Sequence, residues 1–144
     1  MNLLIKPKRD SRDIVSVTPA SAGWRYISFS APQLAPGEAL TLSDNSNELC
    51  VVVLSGIVSA QTEEHHWKEI GQRMSVFEDA APYAVYIPPR TKLVITAKTA
   101  AELGVAGGPA KGELPERLIE PAAIRRSVRG KGSNTRYVCD ILPG

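Results

Sequence analysis

The chain has 144 residues, 43% hydrophobic, 6% aromatic and 22% charged, and 17 basic against 15 acidic residues leave a net charge of +2. That length fits one domain, and the balance excludes an acidic disordered chain and a strongly basic nucleic-acid packer. No window approaches the roughly 18 apolar residues of a membrane span. The short apolar run Leu3 to Ile5 precedes its charges instead of following them, so no export signal is read. Cys50 and Cys139 are too few for a disulfide scaffold, and a cytoplasmic protein with reduced thiols is expected, with no membrane or nucleic-acid partner.

The runs between glycines and prolines are short and strand-like. Trp24 to Ser30 alternates, with Trp24, Tyr26 and Ser28 facing one way and Arg25, Ile27 and Phe29 the other. Glu38 to Leu42 places Leu40 and Leu42 on one face. Leu49 to Leu54 is a continuous apolar run, the pattern of a strand buried on both faces. Ser55-Gly56 reads as a turn and Ile57 to Gln61 as the second strand of a hairpin. Ala84 to Ile87 and Lys92 to Ala97 are strands separated by a corner at Pro88-Pro89-Arg90. Ala100 to Ala106 is a last strand before Gly107-Gly108-Pro109. The only helical candidate is a turn or two around Pro121 to Ile124. About eight or nine short strands with turns between them predict an all-β sandwich or barrel.

From Pro121 to Cys139 five basic residues stand without an acid: Arg125, Arg126, Arg129, Lys131 and Arg136. With Gly130, Gly132 and Asn134 this stretch reads as an extended arm. It either grips an anion through Arg129, Lys131 and Arg136 or is a solvated linker. Ile141 to Gly144 has the look of a buried strand followed by a turn.

Candidate chemistry is sparse. His65 and His66 are adjacent, and neighbours on a strand point to opposite faces, so a shared metal needs a loop. A polar hairpin tip is the plainer reading. Cys50, inside an apolar run, reads as a small core residue, and Cys139 beside the arm as a packed residue before a nucleophile. Glu63, Glu64, Glu69, Glu78 and Asp79 read as solvated faces. Tyr83 and Tyr86 suit core or edge packing before sugar stacking. No phosphate loop, nucleophile elbow or Cys-x-x-Cys occurs.

An ordered set of stretches carries a resemblance. It runs Leu3-Leu4-Ile5-Lys6-Pro7, Thr18 to Tyr26, Leu34-Ala35-Pro36-Gly37-Glu38 and Val52-Val53-Leu54-Ser55-Gly56. It continues through Ser75-Val76-Phe77-Glu78, Tyr86-Ile87-Pro88-Pro89 and Arg129 to Asn134. Together they resemble the N-terminal half of the 5-deoxy-glucuronate isomerase (IolB-type) family of inositol catabolism. That family has two cupins and is related to 5-keto-4-deoxyuronate isomerase. The resemblance implies a cupin-type jelly-roll β-barrel over 1–120 and a basic arm over 121–144 leading to an absent C-terminal cupin. It implies aldose–ketose isomerisation in the whole enzyme, with a divalent metal in the C-terminal half.

Metal-binding cupins place His-x-His, then a glutamate seven residues before a glycine, then Pro-x-Gly with a histidine three residues further on. With Gly56 as the first glycine, the glutamate position is Leu49, and Glu48 falls one residue away, on the opposite face. Ser43 to Asn47 stands where His-x-His belongs, Pro88-Pro89-Arg90 replaces Pro-x-Gly, and the histidine position is Leu93. The expectation is a degenerate, metal-free barrel serving as scaffold and dimerisation surface. Arg129, Lys131, Asn134 and Arg136 are the expected contacts to a substrate carboxylate. The competing expectation is a stand-alone module that binds a sugar acid or another protein.

Overall fold

The computed structural model describes residues 4–142. Leu3 of the first resembling stretch and the turn expected at Pro143-Gly144 lie outside them.

Strands follow one another in chain order: β1 (Asp13–Val17), β2 (Ser28–Leu34), β3 (Ala39–Leu42), β4 (Asn47–Ser55), β5 (Val58–Gln61) and β6 (His66–Ile70). Then come β7 (Ala84–Ile87), β8 (Leu93–Ala97), β9 (Ala101–Pro109), β10 (Arg117–Ile119), β11 (Arg125–Arg129) and β12 (Arg136–Asp140). Six strands form one sheet in the order β1-β2-β9-β4-β7-β10, and four form a second in the order β3-β8-β5-β6. All pairings are antiparallel. The inward side chains of the two sheets meet in one aliphatic cluster that includes Leu49, Val51, Val53, Val58, Val85, Ile87, Leu93, Ile95, Leu103 and Val105. Strand alternation delivers these residues: Leu49, Val51 and Val53 on β4, and Leu93 and Ile95 on β8, each point inward at every second position.

The expected hairpin of Leu49 to Leu54 with Ile57 to Gln61 does not form. β4 pairs with β7 and β9, whereas β5 pairs with β6 and β8 in the other sheet. Gly56 sends the chain across. Its φ of +89° is left-handed, and its N–H donates to the carbonyl of Arg73 at 2.9 Å instead of closing a ladder with β4. The corner at Pro88-Pro89 also changes sheets, between β7 and β8.

β4 differs from the expectation of equal burial on both faces. Its inward residues are buried, and Cys50, Val52 and Leu54 on the other face are only half-buried. Cys50 and Val52 pack against a smaller cluster of Ala81, Ala84, Tyr86, Ile119 and Ile124. The expected strand over Trp24 to Ser30 begins only at Ser28, and a four-residue helix, α1 (Pro19–Ala22), precedes the irregular stretch 24–27. Thr18 and Ser21 form a reciprocal capping box around the helix, Pro19 opens it, and Gly23 closes it at φ +68°. Those signals stand in the sequence, so α1 corrects the reading that Pro121 to Ile124 is the only helical segment. That second segment is a 3-10 turn over Pro121–Ala123. Ile141 and Leu142 form a bend, half-buried and exposed respectively, in place of the expected buried strand.

Candidate functional site

The interior is the first place to look for cupin chemistry. Leu49 and Leu93, at the glutamate and histidine positions of the metal motif, are buried in the aliphatic cluster. Glu48 points away from it, and its Oε2 accepts a hydrogen bond from the Tyr86 hydroxyl at 2.7 Å. Ser43 to Asn47 is folded on itself. The Asp44 carboxylate accepts from the N–H groups of Ser46 and Asn47 at 2.8 and 2.7 Å and from Asn47 Nδ2 at 3.0 Å. The Asn47 side chain first, then the two backbone N–H groups, hold that carboxyl below the usual aspartate range. Arg90 occupies the motif's glycine position and keeps a left-handed φ of +69°. Gly56 and Arg90 keep left-handed backbone at the motif's two glycine positions, but the glutamate and later histidine positions carry aliphatic side chains and the His-x-His stretch is replaced by polar residues folded on themselves. Leu49 and Leu93 offer no donor atom, and the carboxylates of Asp44 and Glu48 are engaged by Ser46, Asn47 and Tyr86, so the residues present do not fit an interior divalent metal.

A polar cluster lies elsewhere, beside the tip of the β5–β6 hairpin. Glu116 Oε1 is 2.5 Å from His65 Nδ1 and also accepts from the Thr62 hydroxyl. The Glu116 side chain is 8% exposed, and the His65 ring stacks on Trp67 with centroids 5.1 Å apart. Thr62 Oγ1 in turn accepts from the N–H groups of Glu64 and His65, at 3.2 and 3.0 Å. The ligand atoms of Glu64, His65 and Glu116 lie within 4.8 Å of one another. His66, the first residue of β6, takes no part in this group, whose adjacent members Glu64 and His65 lie in the turn before it. The sequence reading of a polar hairpin tip describes His65 but misses Glu116, which is 51 residues away and has no local signal. The arrangement ties the segment before β10 to the hairpin. Glu116→Ala is expected to destabilise the fold by about 1–3 kcal/mol, because it leaves the proton of the buried Thr62 hydroxyl without an acceptor. Urea unfolding measures this, and an unchanged midpoint would refute the clamp.

Cys50, Tyr86, Glu48 and Arg117 form a third group on the outer face of the six-stranded sheet. Cys50 and Arg117 are both register partners of Tyr86. Burial pushes the Cys50 thiol up from 9.0 to about 11, against the pull of the Arg117 charge. Burial, then the hydrogen bond to Glu48, pushes the Tyr86 phenol up from 10.0 to about 12. Both groups hold their protons more tightly in the folded state. Their stabilisation is therefore complete below about pH 9 and is lost as pH rises through 11 and 12. The melting temperature is expected to fall steeply over that window. The Cys50→Ala/Tyr86→Phe variant should show a shallower decline, and parallel curves would contradict the assignment.

The basic stretch is a β-hairpin. β11 and β12 pair from Arg125↔Asp140 to Arg129↔Arg136 and form a sheet of their own. Lys131 and Asn134 lie in the connecting turn, with Gly130 at φ +84° and Gly132 at +59°. Arg129, Lys131, Asn134 and Arg136 thus stand at or beside the exposed turn, but the Arg129 guanidinium is directed back along the hairpin to Asp140, the register partner of Arg125 at its other end, at 3.5 Å. At the other end, Arg126 pairs with Asp79 on the loop before β7. A groove of about 980 Å³ separates that loop from the hairpin. Cys139 lines it and is exposed, which corrects the expectation that Cys139 is packed; β12 is one strand of a two-stranded sheet, and the Arg126 side chain of the neighbouring strand lies beside the thiol without burying it.

Two sheets face to face around an aliphatic interior, with left-handed backbone retained at the motif's two glycine positions, define a cupin of the double-stranded β-helix type. Within that class the model of the KduI/IolB family matches residues 3–144, and the chain belongs to that family. It is 38% identical to the 5-deoxy-glucuronate isomerase of Geobacillus kaustophilus, over 99% of this chain and 53% of that protein. The isomerase of Geobacillus thermodenitrificans is 40% identical, over 91% of this chain and 48% of its own length. The crystal structure of an IolB-like protein from Salmonella typhimurium superposes with a TM-score of 0.95 at 42% identity, covering 99% of this chain and 54% of that one. The plu4264 protein of Photorhabdus luminescens shares the fold alone, with a TM-score of 0.56 at 9% identity over 78% of this chain and 92% of that one. The chain spans about half the length of the curated relatives it matches. Among the described residues no helix is long and apolar enough to cross a membrane.

Proposed function

We propose that this chain is the N-terminal, metal-free cupin of a cytoplasmic 5-deoxy-glucuronate isomerase of inositol catabolism. In that enzyme it acts as a scaffold and an assembly surface. The observation that carries this reading is the aliphatic interior, with Leu49 and Leu93 where a metal-binding cupin needs donors, in a chain spanning half of its isomerase relatives. A divalent metal held by the second half would supply the Lewis-acid chemistry of the aldose–ketose interconversion. No step is assigned to this half's interior.

The chain divides in this reading into a barrel over 1–120 and an arm over 121–144. The arm's contribution is charge. Arg129, Lys131, Asn134 and Arg136 stand at or beside an exposed turn, and guanidinium groups bind carboxylates bidentately. A second surface must close over that turn before it holds a uronate.

The test compares the purified chain with a polypeptide in which it is continued by the second half of the Geobacillus kaustophilus isomerase. Expected are no turnover of 5-deoxy-glucuronate and substoichiometric metal for the chain alone, and turnover for the two-half form. In the two-half form, Arg136→Ala should raise KM more than it lowers kcat. Turnover by the isolated chain, or a stoichiometric metal lost in His65→Ala, overturns the scaffold reading. Saturable binding of uronic acids to the isolated chain below millimolar concentration would instead support a stand-alone binding module.

A further inference from the structure

The loop between β6 and β7 carries no regular structure, yet its backbone is held at many points. The Arg73 guanidinium donates to the carbonyls of Leu54 and Ala80 at 2.8 and 3.0 Å. Gln72 Nε2 donates to the carbonyl of Ala81 at 3.0 Å. The Glu78 carboxylate accepts from the N–H groups of Met74 and Ser75 at 2.9 and 3.1 Å, and Phe77 N–H donates to Ser75 Oγ at 3.2 Å. Asp79 is paired with Arg126 of the hairpin. A loop fixed this way would ordinarily turn its apolar side chains inward. Here Phe77 is 95% exposed at its tip, with Val76 beside it. Across the groove stand Val128 and Tyr137, 65% and 82% exposed. Ser127 lines the same groove and keeps a buried hydroxyl with no hydrogen-bond partner among the described residues.

A rigid loop that presents an aromatic side chain to solvent has the form of a preorganised anchor, because the ordering cost of binding is already met. The position of the groove selects the occupant. One of its walls is β12, and residues 141 and 142 leave that strand beside it. The curated relatives hold about as much chain again as the part matched here, so a second half is available to meet this groove. Other exposed apolar groups, such as Tyr26, Ile27 and Leu114, do not line this groove.

We infer that the groove between the 73–80 loop and the β11–β12 hairpin is the docking surface for the second half of the two-half isomerase, with Phe77 and Tyr137 as its anchors. The inference rests on the proposed two-half organisation. The occupant's contacting face is apolar at its centre. It carries a carboxylate at its edge, to meet Arg125, which the hairpin exposes.

Cys139 is the reporter, because it lines the groove and is exposed, whereas Cys50 is held away from solvent. Maleimide labelling is followed by peptide mass spectrometry on the isolated chain and on the two-half polypeptide described above. Cys139 is expected to react roughly tenfold more slowly or less in the two-half form, with Cys50 slow in both. Phe77→Ala/Tyr137→Ala should return Cys139 to the rate of the isolated chain, and Leu114→Ser should not. If the two-half protein turns over substrate and Cys139 still reacts at the isolated rate, the docking surface is wrong and the functional reading stands. If Cys139 is protected in a two-half protein without activity, the docking stands and the functional reading fails. Protection that grows with the concentration of the isolated chain assigns the groove to a second copy and overturns the inference. Should the fused polypeptide be insoluble, the second half supplied separately gives the same readout, and unchanged labelling at saturating amounts counts against docking.

Discussion

Gly56→Ala is expected to destabilise the protein by at least about 3 kcal/mol, enough to unfold a large fraction of a marginally stable domain. Two independent terms lead there. The φ of +89° is left-handed and costs an L-residue about 1–2 kcal/mol. A Cβ at this position would also meet the Ala100 carbonyl oxygen and lie 2.8 Å from Ala101 Cα, both backbone atoms that cannot rotate away. Relief requires moving β9 against β4, the most extensively paired strands of the larger sheet. Gly71→Ala should be similarly harmful, since its Cβ would press on the carbonyl of Gly56 itself. The two changes strain different contacts that share Gly56, so the double variant should depart from the sum of the singles. Gly37→Ala is the control for backbone strain alone: its φ is +85°, but nothing lies within 4 Å of the added carbon. Guanidinium melts of the three single variants separate the terms, and equal losses at Gly37 and Gly56 would refute the steric one.

Leu93→His restores the residue type of a metal-binding cupin at its motif position, and it is expected to cost about 3–5 kcal/mol. Leu93 is completely buried among aliphatic side chains. An imidazole there forfeits apolar burial and leaves ring nitrogens without partners. Burial disfavours the charged ring, so its folded pKa lies below the ordinary value of about 6.5. The unfolded chain then takes up a proton that the folded one refuses, and the loss of stability deepens as pH falls below that value. Metal content should not rise, because Leu49 still fills the neighbouring ligand position. Denaturant unfolding at pH 8 and pH 5.5 with metal analysis of the folded fraction checks both points. Tight metal uptake by this single variant would show that the interior has retained donors.

Much of the fold is legible along the chain. β7 occupies Ala84 to Ile87 as its composition predicts, and β3 and β8 depart from the expected runs by one residue. The corner at Pro88-Pro89 and the turn at Pro121 follow from proline's missing donor. The inward positions of Leu49 and Leu93, and the outward one of Glu48, follow from strand alternation once Gly56 aligns the motif. β6 was not legible: His66 to Ile70 is an exposed edge strand with little apolar alternation. β11 and β12 escaped for the same reason, since a two-stranded ribbon with mostly exposed residues lacks a buried face to print a pattern.

The sequence by itself determined the all-β class, the family and the absence of donors at the interior motif positions. These are properties of residue type at fixed spacing, which a period of two carries without knowledge of the partner strand. Only the tertiary structure decided that β4 and β5 lie in different sheets, because Ser55-Gly56 is compatible with a hairpin until Gly56 meets Arg73 and Ala100. It also decided that Glu116 closes on His65, and that Phe77 stands opposite Tyr137 across a groove. Those pairs are separated by tens of residues, and contact between them is set by how the sheets and the hairpin pack, which no local pattern encodes.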